Sequence, residues 1–343
     1  MKLHLSLRGF WMVALALCCL SGIAVAQNRI DTATQQMGRQ DLRARLQTPA
    51  AQEISSLYED EDKDVGPQNV IRQKPRHNWL EASTDVQFGS TSNVYLTETG
   101  KTDSSMMIST VQLAVTPPAW QVPGGQFSAR AGYRHQKFNY GIASEKFNHL
   151  IASGRSESTI NDSDFDISTM FVQGHYLILE QWLVGGGMDY NRLLNSKDGS
   201  YTEFYSELAP NLSVQRSFEL SKKSAISANI GVAGHISYLD PSYLVPSDSF
   251  DRVDESATVT YARELLSQLG FQTFYRAQFT QYTRNHVRKD LTQTLGVVLA
   301  YSLCKEASLR AFANFEGRSS EDPTIEDYQK VDTGMGLSLR IQF

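Results

Sequence analysis

The chain has 343 residues, a formal net charge of −5 and 41% hydrophobic residues, so it belongs to no extreme compositional class. Without a basic excess or a Lys/Arg block, nothing favours a nucleic-acid partner. Beyond the amino terminus, no stretch is apolar over the ~18 or more residues that a transmembrane helix requires.

Lys2 and Arg8 form a positive lead, followed by an apolar run from Phe10 through Ile23. Ala24-Val25-Ala26 then gives the small-x-small pattern that a signal peptidase accepts, so residues 1–26 read as a secretory signal and Gln27 as the first mature residue. Cys18 and Cys19 lie inside the apolar run and lack the lead-in of a lipid-anchored terminus. Removal of the signal leaves Cys304 as the only cysteine, which excludes an internal disulfide in the oxidising space beyond the membrane. Such a fold depends on a packed core or on closed backbone pairing. Cys304 itself, at a strand end, reads as an inert small residue.

Residues 27–76 are polar and mixed, with short helices expected through Arg39 to Leu46 and Ala50 to Tyr58. They read as a mobile tail, or as a segment tucked against the domain that follows or docked on a periplasmic partner. Asp60-x-Asp62-x-Asp64-x-Gly66 superficially matches a calcium loop. The Gly comes one position late, and Ile71 stands where the bidentate acid belongs, so the run reads as a solvated acidic linker. No metal or cofactor is expected.

From His77 the hydrophobic period becomes two and stays two to Phe343. In the last segment Val331, Thr333, Met335, Leu337, Leu339, Ile341 and Phe343 share one face. Asp332, Gly334, Gly336, Ser338, Arg340 and Gln342 share the other. The same division of one apolar face from one polar or small face recurs around Leu80–Phe88, Phe127–Arg134, Trp182–Asn191, Ile226–Tyr238, Phe271–Thr280 and Leu291–Leu303. Segments near Thr169, Leu208 and Val259 fit less cleanly. About twelve strands result, within the even-numbered range of bacterial outer-membrane barrels.

Connection lengths support this count. Long connections are expected at Thr97 to Asp103, Asn139 to Asp164, Asn195 to Ser200, Leu239 to Glu255, Arg284 to Lys289 and Gly317 to Lys330. Short turns are expected at Pro117 to Gly125, Glu180-Gln181, Glu219 to Ser224, Ser267 to Gly270 and Lys305-Glu306. Long and short alternate, which segregates the loops to one end.

A spanning sheet must close, because lipid offers no partner to an open backbone edge. A tilted strand crosses in ~9–11 residues, about the length of the clean runs. An apolar outside and a wet inside reconcile a membrane protein with a mean hydropathy of −0.34. Trp79, Tyr133, Tyr176, Trp182, Tyr190, Tyr238, Tyr282 and Tyr301 sit near strand ends, as interfacial girdles would. The alternative all-β reading is a secreted sandwich, disfavoured by arginines at mid-strand on the face opposite the apolar stripe.

The final strand, Gly336-Leu337-Ser338-Leu339-Arg340-Ile341-Gln342-Phe343, resembles the carboxy-terminal signal of the Gram-negative outer-membrane β-barrel superfamily. Phe88-Gly89-Ser90-Thr91-Ser92-Asn93-Val94-Tyr95-Leu96 resembles the first strand of β-barrel porins. The resemblance covers roughly Trp79 to Phe343. It implies an antiparallel transmembrane β-barrel over residues 77–343, outer-membrane lipid as its solvent, and recognition of Leu337, Leu339, Ile341 and Phe343 by the barrel-assembly machinery.

On the inward face Arg130, Arg134, Arg276, Arg310 and Arg340 supply cations, and Glu81, Asp85, Asp189, Glu207, Glu316 and Asp332 supply anions. They line either a pore favouring small anions or zwitterions, or a ladder of salt bridges filling a narrow interior. A passive porin-like channel is the leading expectation, and a non-transporting structural or export partner is the next. A hydrolase would need Ser and His in reach on neighbouring strands, with a polar group orienting the His. Among the mature histidines only His175 and His235 are expected well within strands, while His149 and Asp162 to Asp166 belong in or beside one long loop. No enzyme is therefore expected.

Overall fold

The computed structural model describes residues 78–142, 164–178, 181–195, 201–239, 248–284 and 288–343. The expected signal and the segment 27–76 lie outside the described residues. The strands are β1 (Leu80–Thr91), β2 (Ser104–Val115), β3 (Trp120–Val122), β4 (Gly125–Tyr140), β5 (Phe165–Ile178), β6 (Trp182–Asn195) and β7 (Thr202–Ser221). They continue as β8 (Ser224–Leu239), β9 (Arg252–Leu266), β10 (Leu269–Tyr282), β11 (Lys289–Ser302), β12 (Ala307–Ser320) and β13 (Tyr328–Gln342).

Each long strand pairs antiparallel with both ring neighbours. The ring closes because β1 pairs with β13 as well as β2, and β2 pairs with β4. Twelve long strands form this closed barrel, and the short β3 stands outside the ring. It pairs only with the start of β4, Trp120 opposite Phe127 and Val122 opposite Gly125, and turns through Gly124 at φ 88°. The connection expected as a plain turn at Pro117 to Gly125 is thus a small hairpin, sealed by the Trp120–Phe127 ring stack at 5.6 Å.

Residues 222–223, 267–268 and 303–306 make the turns at one rim, which also carries Leu80 and Phe343. The long connections all leave the other rim. Here the strands run further than expected: β12 continues to Ser320, β13 begins at Tyr328 and β9 at Arg252, with ladder pairs across those positions. At 12 to 20 residues the long strands exceed what a crossing needs. The surplus lies toward the loop rim, where the strands carry the ladder pairs just named.

Outward side chains form a belt of exposed apolar groups, reaching 70% exposure at Ile230 and including Val172, Leu212, Leu295 and Met335. A patch on this scale is untenable in water and ordinary in lipid. The protein is a transmembrane β-barrel. Most of the aromatic residues expected in girdles face outward, but Tyr282 points into the barrel and packs in a buried cluster, because its place in β10 falls on the inward register. Cys304 is exposed in the turn between β11 and β12.

At the β1–β13 seam Gly89 stands opposite Gly334. A Cβ on Gly334 would sit 2.4 Å from the Phe88 carbonyl oxygen and 2.8 Å from the Phe312 ring. Gly334→Val should therefore prevent proper closure, with a penalty at the upper end of the ~1–3 kcal/mol of overpacking or beyond it. The folded, heat-modifiable band in a detergent gel should largely disappear, whereas Thr333→Val on the outer face should leave it intact.

Candidate functional site: the lumen

All eleven charged residues singled out in the sequence face the interior, alternating with exposed outward neighbours. Near the turn rim, Glu81 accepts hydrogen bonds from Arg340 at 2.6 Å, Arg130 at 2.5 Å and Gln342 at 3.3 Å. Arg340 belongs to β13, so this bond crosses the closing seam. Two inward positions further along β1, Asp85 bonds Arg310, Ser338 and Gln87. Arg130 also lies over the Phe171 ring at 5.5 Å. Arg134 and Asp189 are buried at mid-barrel, and Arg276 is half-buried there.

Toward the loop rim a second group is drier. Glu207 accepts hydrogen bonds from Tyr205 at 2.7 Å, Asn191 at 3.0 Å and Arg252 at 3.2 Å. His235 is held between carboxylates, Nδ1 lying 3.1 Å from Glu207 and Nε2 3.2 Å from Asp254. Asn191 in turn accepts from Thr169 at 2.8 Å. Across the barrel Glu316 accepts from Tyr328 at 3.0 Å and pairs with Lys330 at 3.4 Å. Asp332 is buried beside them on β13. Arg288 and Asp290 form a further buried pair at 2.8 Å.

Apolar side chains fill the remaining space at this end. Met106, Ile108, Phe138, Phe165, Ile167, Leu193 and Leu239 pack with Val94 and Phe250 from the connections. Phe138 and Phe165 stack at 4.7 Å. This corrects the expectation of an inner face that is polar or small throughout. Period two assigns residues to a face, but it does not tell wet interior from dry. The turn-rim half of the lumen keeps part-exposed charges, whereas the loop-rim half is a packed core.

Sequence reasoning missed Arg252, Asp254 and Lys330 as lumen residues because it placed them in or at the edge of loops. The inward spacing Arg252, Asp254, Ser256, Thr258, Thr260 carried the signal. His135 is a second correction: it lies inside β4, on the outer face, whereas only His175 and His235 were expected within strands. Asp166 lies at the start of β5, beside the long loop as expected. His77, His149 and His286 lie outside the described residues. Leu337, Leu339, Ile341 and Phe343 are exposed on the outer face of β13 and just after it.

No protein-family model and no curated protein matches this chain. Among solved structures, it is similar to the beta domain of the Bordetella autotransporter BrkA, at 14% identity and TM-score 0.44, covering 78% of this chain and 100% of that one. It is similar to an outer membrane channel from Pseudomonas putida at 9% identity and TM-score 0.48, covering 81% and 100%. A third is the NanC porin, at 13% identity and TM-score 0.40, covering 75% and 98%.

Because Glu207 and Arg252 are both buried, removing one leaves the other's charge a partner short, although Glu207 keeps His235 and Arg252 keeps Asp254. Arg252→Met alone should destabilise by about 3–5 kcal/mol. Combining it with Glu207→Gln should recover much of that loss. Urea unfolding in detergent micelles measures the cycle, and an additive double variant would show that the two do not interact.

Proposed function

We propose that this chain is a bacterial outer-membrane barrel that serves as a narrow, porin-like passage for small anionic or zwitterionic solutes. The turn rim faces the periplasm and the long loops face outward. The observation that carries the reading is the charge of the lumen wall from the turn rim to mid-barrel. Arg130, Arg134, Arg276, Arg310 and Arg340 stand there against Glu81, Asp85 and Asp189. Inward of the rim-edge carboxylates Glu219 and Glu264, this wall carries five arginines to three carboxylates, and fixed cations in a confined, low-dielectric vestibule lower the energy of an entering anion.

A second reading has its own support. The apolar packing at the loop rim favours a barrel whose lumen is sealed, acting as a structural or export partner in the membrane. Planar-bilayer recording on the refolded mature protein separates the two. A passage should give small single-channel steps with anion over cation selectivity, weakened in Arg340→Glu. A sealed barrel should stay silent and begin to conduct only when the cluster is opened by Phe138→Ala combined with Ile167→Ala.

Topology has an independent check in Cys304, exposed at the turn rim. A bulky polyethylene-glycol maleimide should leave it unmodified in intact cells and label it once the outer membrane is permeabilised. Labelling of intact cells would reverse the assignment of the rims.

A further inference from the structure

Outside the lumen, a group of polar side chains stands on the lipid-facing wall where β4 and β5 approach the loop rim. His135 lies opposite Ser168 in the ladder, and Lys137 lies opposite Asp166. Directly paired residues share a face, and the exposed Tyr133, Met170 and Val172 mark this face as the outer one. Ser168 Oγ is 3.1 Å from His135 Nδ1, and His135 Nε2 is 3.3 Å from Asp166 Oδ2. The Tyr133 hydroxyl donates to Ser168 Oγ at 3.0 Å. The Asp166 side chain is 1% exposed and Ser168 is 8% exposed, while the imidazole is 35% exposed. Among the described residues, neither Asp166 oxygen takes a hydrogen bond.

An outer wall at the edge of an apolar belt is an unfavourable place for a buried carboxylate, and packing alone gives no reason for one there. It has a chemical use. A carboxylate 3.3 Å from Nε2 favours the Nε2–H tautomer electrostatically, without a formed hydrogen bond, and leaves the Nδ1 lone pair directed at a hydroxyl. Met170 and Val172, two and four residues further along β5 toward the turn rim, are exposed and apolar, so the group borders the loop-rim edge of the apolar belt. Arg192 of β6 is the ladder partner of Ser168 on its other side, with Nε bonded to Glu203 at 2.6 Å. It places a guanidinium beside the site, suited to a headgroup phosphate.

We propose that Ser168, His135 and Asp166 form a nucleophile–base–acid relay that hydrolyses acyl esters of membrane lipids. The inference rests on the membrane reading above and is independent of whether the lumen conducts. Ser168 Oγ gives its proton to His135 Nδ1 and attacks the ester carbonyl carbon, whose π electrons move onto oxygen. The Tyr133 hydroxyl lies beside that developing oxyanion. Collapse re-forms the carbonyl and breaks the ester C–O bond, and the departing alkoxide takes the proton from Nδ1. An acyl-Ser168 remains. Water, deprotonated by His135, attacks it and releases the fatty acid, and the proton returns to Ser168. The net change is ester plus water to fatty acid plus lyso-lipid, with no cofactor.

The test uses the full mature chain refolded into phosphatidylethanolamine–phosphatidylglycerol vesicles, with a parallel set containing lipid A. Mass spectrometry measures released fatty acid, and intact mass reports covalent capture of hexadecylsulfonyl fluoride. Release in the first set identifies phospholipid esters, and release only in the second identifies lipid A esters. Ser168→Ala and His135→Asn should lower release by ~10³-fold or more while retaining heat-modifiable migration, as loss of a relay member does elsewhere. The sulfonyl adduct should form on the native chain and be absent in Ser168→Ala. A native chain that fails to float with vesicles overturns the membrane reading and the relay with it. A floating chain that releases no fatty acid and forms no adduct, or a Ser168→Ala variant with native release, overturns the relay alone.

Discussion

A backbone in hydrocarbon has no water to bond, so every amide and carbonyl within the belt must find a partner in the chain itself. In this protein that requirement is met by pairing β1 with β13 and β2 with β4, which leaves the ring without an edge. Closure then divides the side chains into two populations that never mix. One faces lipid and can be apolar at any size. The other faces an enclosed space whose volume is limited, which is why Gly89 and Gly334 meet across the seam and a Cβ at either position would strike backbone.

The enclosed population is graded along the barrel. Near the turn rim Arg130 and Arg340 stay part-exposed around a buried Glu81, so their attraction to it is tempered by solvent. Near the loop rim the same kinds of side chain are buried. Glu207 is satisfied there by Tyr205, Asn191 and Arg252, with His235 close by. Phe138, Phe165 and Ile167 close the space above. Along the barrel the wall thus passes from part-exposed arginines at the turn rim to this buried apolar cluster.

The outer wall carries its own exception. Asp166 and Ser168 are the reason β5 fits the alternating pattern poorly: both are polar residues on the face that should be apolar. β7 departs for a different cause, a register shift against β6 near Leu193/Leu194. In β9 the outward Glu255 and Ala257 weaken the contrast with the inward threonines. The irregular strands are those in which the two-sided pattern yields to a local bulge or to an unusual outward side chain.

The sequence by itself determined the all-β class, the number of crossing strands, the face to which Arg130, Glu81 and their companions belong, and the segregation of long loops to one rim. Those properties follow from a period of two and from turn chemistry, which are local and survive without knowledge of partners. Tertiary structure decided which half of the lumen is dry, because dryness depends on what lies across the barrel from Ile167 or Leu193. It decided that Tyr282 packs inside and that Arg252 and Asp254 belong to the wall. It alone brought His135 beside Ser168 and Asp166, more than thirty positions on from the histidine in the chain for the serine, since ladder register is settled by two strands together and by neither alone.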